Sequence, residues 1–365
     1  MSLLVVVGGQ YGSEGKGKLV AHLASSARGP VSAVRSGGSN AGHTAIANGR
    51  CYKLRQLPSA VVAERCHLYL SAGMLIDLPV LLREIEECRL APTRLHIDRH
   101  AVLIAEVDRH SECQSQLGPR IASTLTGTGA ATARKVLRDP NVVMADSVPE
   151  LKPYLADVAE QLNRRIDRGE DVIVEGSQGF GLSLHHSGYF PFTTSRDTTS
   201  AGFLSEVGLS PRLVNEIYVV LRTYPIRVGG NSGPLSREIS WEDIQARSGY
   251  PAALAEYTTV TGRLRRVAEF DWELARRAVE INRPSAIAIH GADYLNYQNY
   301  GKTLWCELSD EARNFVERVE AAFRVPVSFV FTGPTENQII DRRTTPHPTT
   351  SSGRESVTDG ITAAA

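Results

Sequence analysis

Gly8-Gly9-Gln10-Tyr11-Gly12-Ser13-Glu14-Gly15-Lys16-Gly17-Lys18 is the stretch from which the rest of the chain is read. It follows Leu3-Leu4-Val5-Val6-Val7, an uninterrupted apolar run rich in β-branched residues, which predicts a buried strand. Leu19 to Ala27 reads as a helix. Strand, glycine loop and helix bring backbone N–H groups and a helix N-terminus to face an anion, typically phosphate. The glycines admit close approach by a ligand, and Lys16 and Lys18 add mobile positive charge. This is not a Walker A motif: five residues separate Gly9 from Gly15 where four are required, and Gly17 stands where Ser or Thr is wanted.

Working outward, Val31 to Arg35 predicts a strand that runs into Ser36-Gly37-Gly38-Ser39-Asn40-Ala41-Gly42-His43-Thr44. That segment of small and polar residues reads as a loop at a strand end, where open α/β sheets place their ligands. His67 to Leu70, Leu95 to Ile97 and Ala101 to Ile104 predict short strands. Leu78 to Cys88 predicts an amphipathic helix with Glu84, Glu86 and Glu87 on its wet side. Ile121 to Ala133, rich in hydroxyls and glycine, reads as a loop, and Pro149 to Arg168 as a helix broken at Gly169. A strand over Asp171 to Val174 opens onto Glu175-Gly176-Ser177-Gln178-Gly179. Glu216 to Leu221, Ala286 to Ile289 and Pro326 to Phe331 complete the predicted strands, with helices over Asp271 to Asn282 and Ser309 to Phe323.

Alternating strands and helices with glycine loops at strand ends predict an α/β fold: a large, mostly parallel central sheet flanked by helices. No internal repeat or linker interrupts it, so one domain over 1–340 is expected. From Asp341 the composition turns to Thr, Pro, Ser and Ala without periodicity, which predicts a disordered tail over 341–365.

The 365 residues are 42% apolar and 22% charged, the balance of a soluble globular protein. Forty basic and forty acidic side chains cancel, which argues against binding nucleic acid by bulk charge and for a local phosphate site. The five cysteines include no C-x-x-C pair and predict reduced thiols rather than disulfides or zinc. No apolar run reaches the roughly 18–20 residues that span a bilayer. A cytoplasmic protein with no membrane association is the expectation.

Two constellations carry chemistry beyond the glycine loop. One is the loop histidine, His43. The other is Thr258-Thr259-Val260-Thr261-Gly262-Arg263-Leu264-Arg265-Arg266, whose arginine forks suit bidentate capture of carboxylate or phosphate. Neither a Ser-His-Asp triad nor a metal cage is evident.

Taken in order, these motifs resemble the adenylosuccinate synthetase family from Leu3 to about Pro334. They are Gly12 to Lys18, Asn40-Ala41-Gly42-His43-Thr44, Ser123-Thr124, Arg138 and Glu175 to Gly179, then Thr193-Thr194-Ser195, Thr261 to Arg266 and Thr332-Gly333-Pro334. The resemblance implies a ligase in which a purine 6-oxygen attacks the γ-phosphate of a nucleoside triphosphate. Phosphorylation turns that oxygen into a good leaving group, and L-aspartate displaces it. By resemblance, His43 and Lys16 stabilise the transferring phosphoryl, with Ser13 at the family's catalytic carboxylate position. Ser13, Asn40, Ser123, Thr124, Gln178, Thr194 and Arg263 hold the acceptor, whose phosphate Arg138 reaches from the other subunit of a homodimer. Thr259, Val260, Thr261, Arg263 and Arg265 take the aspartate. Gly12, Glu14, Gly15, Lys16, Gly17, Lys18, Gly42, His43, Thr44, Arg265, Asp293, Thr332 and Gly333 take the donor. The cofactor implied is Mg²⁺, with Ser13 and Gly42 at the metal.

Two departures shape the expected substrate. The family has an aspartate, a base for the purine N1 proton, where this chain has Ser13. A hydroxyl is a poor base but leaves room for the 2-amino group of guanine. Ser13 therefore resembles the viral 2-aminoadenylosuccinate synthetase branch, which implies dGMP, L-aspartate and ATP as substrates. Glu14, a water or the substrate itself stay open as the base. The second departure is Gly291, two residues before Asp293, where the family has a lysine for guanine recognition; this agrees with ATP. The competing expectations are adenylosuccinate synthesis from IMP and GTP, and a non-catalytic nucleotide-binding protein.

Overall fold

The computed structural model describes residues 2–47, 49–258 and 262–343. Its centre is a ten-stranded sheet. In chain order the strands are β1 (Leu3–Gly8), β2 (Val31–Arg35), β3 (His67–Leu70), β4 (Leu95–Asp98) and β5 (Leu155–Ala156), then β6 (Asp171–Glu175), β7 (Val214–Arg222), β8 (Ala286–His290), β9 (Val327–Phe331) and β10 (Ile339–Asp341). Across the sheet they run β10-β9-β8-β7-β1-β6-β2-β3-β4-β5, and every pair is parallel except β9 with β10.

β1 is central because both its faces are apolar. Leu4 and Val6 point into one core, while Leu3, Val5 and Val7 point into the other. Each such side chain contributes roughly 1.5–3 kcal/mol when fully buried. Its partners are β6, in the register Leu3↔Val172 to Val6↔Glu175, and β7. The loops that leave the carboxyl ends of β1, β2, β6, β7, β8 and β9 therefore gather along one edge.

The helix α1 (Lys16–Ser26) begins three residues before the expected Leu19. Gly15 precedes it at φ 100, and a Cβ there would lie 2.7 Å from His290 Cδ2, so glycine is required on both counts. A small three-stranded sheet (Ile226–Arg227, Arg266–Ala268, Glu238–Ile239) ties the arginine cluster to β7.

Several expectations are corrected. The segment read as a loop to Thr44 contains the first strand of a hairpin, His43–Ala47 with Arg50–Leu54. The single helix expected over Pro149 to Arg168 is a 3-10 segment (Pro149–Tyr154), strand β5 and a helix Val158–Asp167; Pro153 interrupts the first and Asp157 caps the last. Ile121 to Ala133 is partly helical, within Thr128–Val136. Glu84, read as solvated, is buried and accepts the N–H groups of Arg55, Gln56 and Leu57. The tail expected from Asp341 does not hold for its first two residues: Asp341 closes β10, and Arg342 donates to Val327 O at 2.8 Å and Glu320 Oε1 at 2.9 Å. Residues from 344 onward lie outside those described.

Candidate active site

The glycine loop is built around one ion pair. Glu14 Oε1 accepts the N–H groups of Gln10 at 3.0 Å and Gly12 at 2.7 Å, while Oε2 takes Lys16 Nζ at 2.7 Å. Lys16 also donates to Gly12 O at 3.1 Å, and both side chains are buried. With both oxygens engaged, Glu14 is a loop brace, which removes it as a free base. Lys18 Nζ donates to Gly333 O at 2.6 Å and Gln338 O at 2.7 Å; burial lowers its pKa to about 7, against the opposing pull of Asp293.

His43 stands at the start of its hairpin strand with Nδ1 2.5 Å from Glu175 Oε1, at the end of β6. Ser59 donates to Glu175 through its backbone N–H and its hydroxyl, and the buried Arg35 guanidinium lies 3.6 Å away. Burial, then Arg35, lowers the imidazole to about 4. Burial alone would raise Glu175, but His43 and Arg35 hold it down at about 2. At neutral pH the carboxylate is therefore ionised, accepts the Nδ1 proton, and leaves Nε2 of a neutral ring unprotonated. Glu175→Gln is expected to leave the fold intact with a lowered Tm, because Arg35 loses its counter-charge, a change worth about 3–5 kcal/mol. kcat is expected to fall about 10–100-fold with little change in KM. Steady-state phosphate release and a thermal melt check both, and an unaltered kcat would remove Glu175 from the site.

Two cavities flank these loops. The larger, about 540 Å³, is lined by Gly12, Ser13, Gly15, Lys16, Gly17, Lys18, Gly42, His43, Thr44, Arg265, Asp293 and Gly333. The smaller, about 180 Å³, is lined by Tyr11, Asn40, Ser123, Thr124, Gln178 and Thr194. Two separate segments pass from one cavity to the other, at Tyr11-Gly12 and between Asn40 and Gly42. The two spaces thus adjoin at the glycine loop and at the segment that leads into His43.

The remaining expected residues fall as follows. Ser13 is on the wall of the larger cavity, its hydroxyl accepting from Arg265 Nη1, and it does not line the smaller. Arg263 is exposed and lines neither cavity; its N–H donates to Thr258 Oγ1 at 2.9 Å. Arg138 is exposed and lines neither cavity of its own chain. Thr332 is buried and donates to Lys302 O at 2.7 Å, so its side chain is structural. Thr259, Val260 and Thr261 lie outside the described residues.

Sequence reasoning missed several residues. Arg222 pairs with Glu256 and donates to Ser13 O at 3.1 Å, and Tyr294 donates to Glu256 at 2.9 Å; all line the larger cavity. In the smaller cavity Arg227 is held by Pro234 O and Phe192 O, with its guanidinium 4.6 Å from the Tyr11 ring and 5.4 Å from Tyr189. The one readable signal was Glu175, a carboxylate at the end of a central strand.

The fit to magnesium is poor for a resident ion. Among the described residues no cluster of three His, Cys, Asp or Glu side chains stands in metal-binding geometry. Glu14 is consumed by Lys16 and two N–H groups, Glu256 by Arg222, and the Ser13 hydroxyl faces a guanidinium. Mg²⁺ commonly binds through substrate phosphates, and here it would arrive with the nucleotide rather than wait in a protein cage. No helix among the described residues is long and apolar enough to cross a membrane.

The chain matches the adenylosuccinate synthetase family model over residues 5–146 and 142–303. The Archaeoglobus fulgidus adenylosuccinate synthetase is 40% identical over 348 residues, covering 94% of this chain and 99% of the relative. That of Methanocaldococcus jannaschii is 38% identical over 349 residues, covering 94% and 97%. The fully ligated Plasmodium falciparum enzyme superposes with a TM-score of 0.82 at 20% identity, covering 93% of this chain and 100% of that one. The cyanophage S-2L succinoaminodeoxyadenylate synthetase bound to dGMP and dATP superposes with a TM-score of 0.79 at 26% identity, covering 93% and 95%. Family model, fold and a two-cavity site with a glycine loop between them agree: the chain belongs to the adenylosuccinate synthetase family, C–N ligases that join aspartate to a purine nucleotide.

Proposed function

We propose that this ligase takes dGMP in the smaller cavity and ATP in the larger, and makes 2-amino-2'-deoxyadenylosuccinate, ADP and phosphate. The observation that carries the reading is a neutral hydroxyl, Ser13, on the wall of the larger cavity one residue beyond the Tyr11-Gly12 step to the smaller. Every carboxylate among the described residues of the glycine loop and the two cavity walls has a partner: Glu14 and Glu256 are ion-paired, Glu112 accepts two N–H groups and Asp293 accepts the Tyr250 hydroxyl. The likeness to a phage enzyme bound to dGMP and dATP supports it. In the reaction N1 gives its proton to water as the 6-oxygen attacks the γ-phosphorus and the bond to the ADP oxygen breaks; the aspartate amine then adds at C6, sheds a proton to water, and phosphate leaves. His43 and Lys16 face the transferring group. The triphosphate's negative charge raises the imidazole pKa, so that Nε2 takes a proton and donates it as a hydrogen bond while Glu175 holds Nδ1. Arg265 and Arg263 would receive aspartate. Arg138, exposed beside Val136 and Leu137 at 70% and 78% exposure, would complete the acceptor phosphate site of a second subunit.

The second reading is IMP as acceptor, favoured by the archaeal relatives' names. Incubation with aspartate, Mg²⁺ and each pairing of IMP, GMP or dGMP with ATP or GTP decides, read by phosphate release and product mass. The proposal expects turnover with dGMP and ATP; turnover with IMP alone would end it.

A further inference from the structure

The larger cavity has two chemically different ends. One is the glycine loop with Lys16 and His43; the other is walled by Tyr250, Tyr297 and Tyr300, with the buried carboxylate of Asp293 among them. The rings form a connected set: Tyr250 meets Tyr297 edge-on at 4.6 Å and Tyr294 at 5.8 Å, and Tyr297 stacks on Tyr300 at 5.5 Å. Aromatic walls at the far end of a phosphate site suit a planar base.

A carboxylate in such a place reads adjacent N–H donors. Guanine presents two, its ring N1–H and its 2-amino group, to the two carboxylate oxygens, whereas adenine presents its 6-amino group and an N1 acceptor that a carboxylate repels. Asp293 alone would select guanine. It is not alone, because the Tyr250 hydroxyl donates to Asp293 Oδ2 at 3.0 Å. That bond occupies one lone pair of Oδ2 and sets the Tyr250 ring beside it, which weakens and crowds one of the two oxygens a guanine needs, and the phenol oxygen keeps lone pairs that can accept an amino group. Gly291 adds a steric reason: it sits at φ 89, and a Cβ there would lie 2.8 Å from Thr223 Oγ1, so no side chain from this position folds over the base.

We propose that Tyr250 sets the donor base, holding Asp293 out of guanine pairing and offering its own oxygen to the 6-amino group of adenine. The inference rests on reading the larger cavity as the donor site and is independent of which acceptor is used. Competition of ADP and GDP against a fluorescent N-methylanthraniloyl-ADP, on the full chain without acceptor or aspartate, reads base choice without turnover. The wild type is expected to favour ADP. Tyr250→Phe, which removes one hydroxyl, is expected to lower the ADP-to-GDP affinity ratio about tenfold by freeing the second carboxylate oxygen. Asp293→Asn, whose amide pairs with the adenine edge, is expected to raise it about threefold and serves if the first variant folds poorly. A wild type that favours GDP, variants whose ratios stay within about twofold of the parent, or no competition by either diphosphate would overturn the assignment. If no acceptor is ligated to aspartate while the ratios still move as stated, the proposed reaction falls and the role of Tyr250 stands.

Discussion

His43→Ala is expected to lower kcat by about 10²–10³-fold, the cost of removing one preorganised donor from a transferring, charge-bearing group. Michaelis constants for both nucleotides should change far less, because the ring shares the larger cavity with a glycine loop that is braced independently by Glu14 and Lys16. The variant removes a buried ring and leaves Glu175 without its imidazole partner, yet Ser59 and Arg35 still satisfy that carboxylate. Folding should therefore survive, and a circular dichroism melt separates lost structure from lost chemistry. Single-turnover phosphate release is the decisive measurement. A variant that transfers phosphate at the parental rate would show that the transferring group is stabilised elsewhere, with Lys16 the first candidate.

Ser13→Asp is expected to produce the second large effect, on substrate choice. In the wild type the hydroxyl accepts from Arg265, while Arg222 holds the backbone carbonyl of the same residue. A carboxylate at this position has a second oxygen, so that one oxygen takes Arg265 as the hydroxyl does now while the other is left to accept the N1 proton. The ratio of kcat/KM for IMP over that for dGMP should rise about 10²-fold, the scale on which a site with one mismatched polar group rejects a substrate. Kinetics on both acceptors with a fixed donor measure it. Equal ratios in parent and variant would mean that position 13 reads nothing on the base, and the dGMP proposal would lose its main support.

Much of the fold was legible because its central strands are buried on both faces and read as unbroken apolar runs. Val31–Arg35 is found with the ends expected, and β1 extends the expected run by one residue. The hairpin at His43 was not legible, since most of Arg50–Leu54 is exposed and carries no apolar run. The helix Thr128–Val136 was hidden for another reason: it buries only Thr128 and Ala131, and its entry is held by Glu112, which accepts the N–H groups of Gly127 and Gly129 from another helix. The same division runs through the site. Lys16, His43 and Glu175 stood within motifs, but the parts played by Glu175 and Tyr250 depend on contacts with residues 132 and 43 positions away. Nothing local marks such pairings, and Thr332 shows the converse, a residue conspicuous in a motif whose side chain is used for packing.

The position of β1 between β6 and β7 also bears on how the chain is made. A ribosome releases the glycine loop first, but the strands that flank it come from residues 171–175 and 214–222, and Gly333 later still. At typical synthesis speeds that wait is on the order of tens of seconds. Throughout it the Leu-Leu-Val-Val-Val segment lacks both of its native neighbours, so nucleotide cannot template the nascent protein.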